Sequence, residues 1–450
     1  MRRFRPWLSR PVRPYPPGIF EFIILIPEQE SCYNFDGHMN TEIVLVAVSS
    51  IILVSYLFDM FSGKTRLPSV VLLILSGLVL RLLADWTVFH IPYLDYVLAP
   101  LGTIGLILIV LEAGLDLELN LEKTRIINRS FISALTVMLL CLFGIAGLYM
   151  LLFAAPLRVA LMNALPLSII SSAIAIPGAR LFSEDRREFI TYESSFSDIL
   201  GILVFNFLAL NSSFGFGSLF SFSFEILVTV LLSLFFSLGL TALVERVNHQ
   251  VKHLPVFAIL LLVYATAKLM HYSPLILVLV FGLFLNNITL FIRGNMRLYF
   301  SLEKIGEEVR QFKSVISEST FVIKTFFFVL LGYTADIPRL LNRDALAVVL
   351  PVMLVIYASR ALPLRLLCGP GTAAALTYVA PRGLITILLF MGIPPELRIG
   401  LIPDSVLLWT ILLSSLVMTW GVVKHSGKGD ASPEAAKPPE AAVSPPGAGG

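Results

Sequence analysis

Ser171-Ser172-Ala173-Ile174-Ala175-Ile176-Pro177 is followed, after a short charged loop, by Glu193-Ser194-Ser195-Phe196-Ser197-Asp198-Ile199-Leu200. The first segment is an apolar helix with hydroxyls and a proline; the second is an apolar helix with a carboxylate inside it. A break in a bilayer-spanning helix frees main-chain carbonyls and helix ends that lipid cannot satisfy, so it must face protein or an ion. A carboxylate beside such a break is how a membrane protein builds a cation site at mid-bilayer depth.

The surrounding composition agrees. Of 450 residues, 57% are hydrophobic and 14% charged, and the mean hydropathy is +0.86. A soluble domain could not hide that much apolar surface, so the chain is a polytopic membrane protein. The net charge of +3 matters less than its distribution over loops, and it implies no nucleic-acid partner. Cys32, Cys141 and Cys368 are scattered without metal-ligand spacing, so neither a disulfide framework nor a metal site is expected.

Residues 1–38 carry five arginines among prolines, then an apolar run of about half the length a bilayer requires, with Glu21 inside it. No small-residue cleavage site follows. Met39 stands directly before the first long apolar helix, so residues 1–38 are expected to be an extension that is not native. From there the hydropathy predicts an all-α domain over 39–423 with about thirteen spans, near 41–59, 67–85, 96–117, 129–154, 158–181, 191–212, 222–245, 254–270, 272–290, 317–341, 346–367, 373–391 and 403–423. Residues 424–450, rich in proline, alanine, glycine and glutamate, are expected to be a disordered tail.

The connections with Lys64/Arg66, Lys123/Arg125/Arg129, Arg180/Arg186/Arg187, Arg246/Lys252 and the Arg293-to-Lys313 run fall on one side, which the positive-inside rule makes cytoplasmic. Arg158, Arg339, Arg343 and Arg398 are exceptions. The expected N-terminus is outside and the C-terminus cytoplasmic, in a plasma or bacterial inner membrane.

The fifth span is interrupted around Ser171 to Pro177 and the twelfth at Ala380-Pro381-Arg382-Gly383. Each is the next-to-last helix of a six-helix half if the seventh span is a linker, and the two run in opposite directions. Paired broken helices in inverted halves are a transporter pattern. Asp198 lies about seven residues into its span, roughly 10 Å from the end at helical rise, where a carboxylate costs on the order of 3 kcal/mol. Glu193 points away from it around the helix, so the two carboxylates should do different work. Glu112, Lys324 and Arg360 also lie inside spans, whereas Arg81 and Arg365 are nearer helix ends and read as interfacial anchors.

Leu111-Glu112-Ala113-Gly114-Leu115, the serine-rich break, Glu193-Ser194-x-x-Ser197-Asp198, Ser317-Glu318 before Phe327-Phe328-x-x-Leu331-Gly332, Ala358-Ser359-Arg360 and Pro381-Arg382-Gly383-Leu384 occur in that order. The series resembles the monovalent cation:proton antiporter superfamily, and is most similar to its sodium/proton exchanger branch. The resemblance implies that Asp198 binds cation and proton in competition and that Glu193 pairs with Arg360. It also implies a homodimer whose core helices, about 129–212 and 346–423, move like an elevator against dimerisation helices, about 41–117 and 222–341. The departures are specific: Ser197-Asp198 stands where the branch usually has Asn-Asp, and Ser171-Ser172-Ala173 where it has Thr-Asp-Pro. Relatives of the electrogenic branch have Asp-Asp and a lysine on the eleventh helix, whereas Lys324 is on the tenth.

A single acid is then left at the site. Burial penalises a bare carboxylate, so a proton and a dehydrated alkali cation compete for Asp198. The expected ligands are hard oxygens: Asp198, the hydroxyls of Ser171, Ser172, Ser194 or Ser197, carbonyls at the break, and Glu112. Arg382 would balance charge or orient the half-helices, and Lys324 would pair with Glu318 or Glu112. The reading is electroneutral one-for-one exchange of an alkali cation, sodium first, for a proton, with membrane lipid around the dimer and no cofactor. Potassium exchange, or a non-transporting sensor or channel on the same scaffold, are the alternatives. There is no His-Glu-x-x-His element for a hydrolase, and Gly63-Lys64-Thr65 lacks the earlier glycine of a phosphate loop, so an ATP-driven pump has no support.

Overall fold

The computed structural model describes residues 41–65, 68–87, 94–119, 123–211, 216–246, 253–269, 273–291, 302–335, 343–400 and 404–425. Its contacts divide the chain after Val48. The first unit is described only over the opening of helix α1, and the second carries everything below. The extension expected over 1–38 and the tail after His425 lie outside the described residues.

Among the described residues the elements are helical. They are α1 (Thr41–Thr65), α2 (Ser69–Thr87), α3 (Leu94–Asp116), α4 (Thr124–Phe153), α5 (Leu157–Ser168), α6 (Ser172–Gly178), α7 (Glu184–Leu210), α8 (Phe216–Arg246), α9 (His253–Leu269), α10 (Pro274–Asn286), α11 (Ile288–Phe291), α12 (Leu302–Thr334), α13 (Arg343–Cys368), α14 (Pro370–Leu376), α15 (Leu384–Met391) and α16 (Asp404–His425), with short 3-10 turns at Ala179–Leu181 and Pro395–Leu397. Eight helical segments among the described residues are long and apolar enough to cross a membrane, and shorter apolar helices accompany them. Helices suit this solvent because each satisfies its own main-chain donors and acceptors. Large apolar side chains such as Leu151, Phe235 and Leu366 stand exposed on the outside, where lipid takes the place of water.

Two expectations about the spans are corrected. The tenth span, expected from about 317, belongs to a helix that begins at Leu302. Its first turns hold Glu303, Lys304, Glu307, Glu308 and Arg310, which hydropathy excludes from a span but which are good helix formers, so the helix runs on past the apolar segment. Pro177 does not mark the break of the fifth span. The helix stops after Ser168, residues 169–171 are non-helical, and Pro177 lies near the C-terminal end of the seven-residue α6. There it forgoes one main-chain bond close to the helix end, just before the 3-10 turn, rather than opening the break.

The two halves interlock through glycines. A Cβ on Gly77 of α2 would lie 2.9 Å from the Gly332 Cα of α12, and one on Gly332 would lie 3.0 Å from the Gly77 Cα. Likewise a Cβ on Gly114 of α3 would meet the Leu279 carbonyl of α10 at 2.6 Å, and one on Gly282 would meet the Leu111 carbonyl at 2.8 Å. Glycine permits these backbones to touch, which is how helices gain packing in a medium as apolar as their side chains. With α8 as the linker, the second helix of each half crosses the third of the other, as an inverted repeat requires.

Contacts fall into two sets. Helices α4 to α7 pack with α13 to α16, whereas α2, α3, α8, α9, α10 and α12 pack with one another. The sets meet where α3 and α10 touch α7 and where α3 and α12 touch α15.

Candidate functional site: two broken helices crossed at Asp198

Both interrupted helices belong to the first set and cross at their breaks. The Ser171 amide donates to the Pro381 carbonyl at 3.0 Å, joining the non-helical segment between α5 and α6 to the one between α14 and α15. The crossing needs a residue without a side chain, since a Cβ on Gly383 would stand 2.9 Å from the Ser171 Cβ. Helix α7 lies across the first break for the same reason: a Cβ on Gly201 would stand 2.6 Å from Ile169 Cγ1 and closer still to its Cδ1.

Asp198 sits on α7 one turn before Gly201 and is 2% exposed. Its Oδ2 accepts from the Ser172 hydroxyl at 2.5 Å and from the Ser172 amide at 3.3 Å. Those donors begin α6, so the carboxylate faces the end of a half-helix where amides point outward. Oδ1 is buried and has no hydrogen-bond partner among the described residues. A buried carboxylate oxygen without a donor is costly, and a proton or a cation on it removes the cost.

The other serines do different jobs. The Ser197 hydroxyl accepts from the Ile170 amide at 2.9 Å, which fastens the break to α7. The Ser194 hydroxyl, expected as a ligand, donates to the Ile190 carbonyl of its own helix at 2.8 Å. This back-bond is common for serine inside a helix, and it uses the hydroxyl's proton within α7. Ser171 contributes through its main chain and caps α6, its carbonyl accepting from Ala175 at 2.9 Å.

Glu112 has a partner of its own. Its carboxylate is held by the Lys324 ammonium at 2.6 Å, joining α3 to α12. Glu318, the other candidate partner of Lys324, instead accepts from Ser314 at 3.3 Å. Lys324 and Glu112, paired with each other on the second helix set, lie within electrostatic reach of Asp198 on the first.

Glu193 and Arg360 are each about 1% exposed at the side chain. The guanidinium grips both carboxylate oxygens, at 2.6 and 3.1 Å. Ser133 of α4 donates to the same carboxylate at 2.5 Å, and Arg360 Nε donates to the Leu376 carbonyl at the end of α14. One polar knot therefore joins α4, α7, α13 and α14. Arg382 is also buried, at 1% exposure. Its Nε donates to the Leu167 carbonyl at 2.6 Å, Nη1 to Ala380 and Nη2 to the Cys141 sulfur. Its amide donates to the Ser414 hydroxyl at 2.9 Å. The guanidinium of the second break thus caps the carbonyl end of α5 beside the first break, and Pro381 supplies the carbonyl at the crossing. At the start of α4, Lys123 donates to Glu188 of α7, which holds that ammonium above the usual lysine range.

Ser133, Gly201 and Ser414 were not singled out from the sequence. Ser133 and Ser414 carry a weak signal as hydroxyls within apolar spans; Gly201 carries none that distinguishes it from other glycines.

Inverted halves, crossed broken helices and a buried acid at the crossing define a multi-pass secondary transporter. Comparison with known proteins gives the particular family. Residues 48–424 match the family described as sodium/hydrogen exchanger, transmembrane. The chain belongs to the sodium/hydrogen exchanger family, a family of transporters, and is a cation/proton antiporter. Its fold resembles the sodium proton antiporter MjNhaP1 of Methanocaldococcus jannaschii solved at pH 8, with a TM-score of 0.62 at 18% identity over 86% of this chain and 97% of that one. An electron-microscopy structure of the same antiporter matches with a TM-score of 0.58 at 18% identity, over 86% and 96% of the two chains. No curated protein matches the sequence.

Proposed function

We propose that this protein exchanges sodium for protons one for one, with Asp198 as the group both ions share. The observation that carries the reading is the buried, unpartnered Oδ1 of Asp198 at the crossing of the two breaks. Glu193 is neutralised by Arg360 and Glu112 by Lys324. Among the described residues of the site Asp198 is left to take up either ion, so the net charge carried in each direction is equal. Ser172, already on Oδ2, is the nearest hydroxyl to complete the cation's oxygen shell. Sodium is the ion in the family description and in that of the fold's solved counterpart.

The two helix sets suit an elevator. Helices α4 to α7 and α13 to α16 would carry Asp198 as a body, while α1 to α3 and α8 to α12 would stay fixed in a homodimer. The basic connections would face the cytoplasm of a plasma or bacterial inner membrane, with the N-terminus outside.

The test is proton release in proteoliposomes, followed with a pH-sensitive dye, on addition of sodium, lithium or potassium. Sodium should release protons, Asp198→Asn should abolish the signal, and an imposed voltage should not change the rate. Exchange surviving in Asp198→Asn would sink the assignment. A response to potassium instead would change the ion, and no response from folded wild-type protein would favour a sensor.

A further inference from the structure

A groove of about 930 Å³ opens between α13, α14 and α16, away from the crossing. Along α13 its wall is Leu350, Leu354, Tyr357 and Ala361, one face of the helix, and it ends at Arg365. Tyr378 of the second break and Leu413 of α16 form the opposite side. We propose that this groove binds an anionic phospholipid, one acyl chain lying along α13 and the phosphate resting on the Arg365 guanidinium.

Length and depth support this occupant. From Leu350 to Arg365 the helix rises about 22 Å, whereas one leaflet of hydrocarbon is roughly 15 Å thick. Arg365 lies in the last turn of its helix, where a long cationic side chain reaches the headgroup level. The groove thus begins at an interface and runs inward through a leaflet, as an acyl chain does. Leu354 is 72% exposed, so the apolar wall faces the bilayer rather than another helix of this chain.

Charge selects among lipids. Among the described residues no acidic side chain lines the groove, and Arg365 is exposed, with no hydrogen bond or ion pair to a described residue. A second cation stands nearby: Lys424 lies 4.5 Å above the Trp420 ring and 5.8 Å from that of Tyr378. A guanidinium binds phosphate through paired charge-assisted hydrogen bonds. A zwitterionic headgroup would bring a cation beside Arg365, where no carboxylate of the described lining receives it. Inorganic phosphate would satisfy Arg365 but leave the apolar wall unused.

The site is tested by native mass spectrometry of the full chain from micelles with equal phosphatidylglycerol and phosphatidylcholine of identical chains. Wild type should retain the anionic lipid with about tenfold preference, because both phosphates can reach Arg365 but only phosphatidylcholine brings an ammonium beside the two cations. Arg365→Gln should bring the ratio near one, and Arg365→Lys should keep part of it. Leu354→Trp, which fills the groove from an exposed position, should reduce both lipids. Unchanged preference in Arg365→Gln, equal retention by wild type, or displacement by inorganic phosphate would each overturn the proposal. So would loss of the lipid on dimerisation, which would make the groove a face between copies. Thermal midpoints of the variants verify folding, and the readout is independent of ion exchange.

Discussion

Removing one partner of the Glu193–Arg360 pair should be among the most damaging single changes to this protein. Both side chains are about 1% exposed, and the fork geometry places two short contacts between them. Glu193→Gln would leave a guanidinium buried without a counter-charge and weaken the bond from Ser133. Breaking a buried pair in this way costs about 3–5 kcal/mol, against about 1 kcal/mol or less for a solvated pair. Arg360→Met would strand the carboxylate and also free the Leu376 carbonyl at the end of α14. Glu193→Leu combined with Arg360→Met removes both charges, so the double variant should be no less stable than either single change. The assay is the unfolding midpoint of purified protein in detergent, with the four corners of the double-mutant cycle compared. Loss of less than about 1 kcal/mol in Glu193→Gln would show that the pair is solvated in the working protein. Summed losses in the double variant would show that the residues act separately.

Three further outcomes follow from the same geometry. Ser172→Ala removes the 2.5 Å hydrogen bond to Asp198 and leaves only the longer amide contact. A bond to a charged group is worth about 1.5–3 kcal/mol, so the apparent KM for the cation at fixed pH should rise roughly tenfold. Gly383→Ala puts a methyl 2.9 Å from both the Ser171 Cβ and the Ile174 Cδ1 and should lower stability by about 1–3 kcal/mol. Gly371→Ala has open space and should be neutral in the same unfolding measurement. Gly114→Ala, which drives a methyl into the α10 backbone, should reduce the yield of folded protein where Gly147→Ala does not. Equal yields would show that the α3–α10 crossing is loose.

The helices were legible because the bilayer makes them so: an apolar run of sufficient length must close its own hydrogen bonds wherever it lies. The start of α12 was not, since Glu303 to Arg310 form helix without being apolar. The break before α6 was misplaced toward Pro177 because proline is a local signal. The actual break at 169–171 depends on partners far along the chain: the Ser197 hydroxyl on Ile170, Gly201 under Ile169, and the Pro381 carbonyl on Ser171.

By itself the sequence determined a polytopic helical membrane protein, two interrupted spans and one acid too deep to be solvated, because burying charge and freeing main-chain groups in lipid are costs visible residue by residue. The resemblance implied the Glu193–Arg360 pair, but only tertiary structure decided which carboxylate Lys324 takes and which acid is left without a counter-charge. Glu112 meets Lys324, and Glu193 meets Arg360, across sequence separations that no local pattern encodes. Asp198 meets Ser172 with one oxygen and leaves the other without a partner. That distinction rests on packing, since a carboxylate's chemistry in a low-dielectric interior is set by what lies within hydrogen-bond reach.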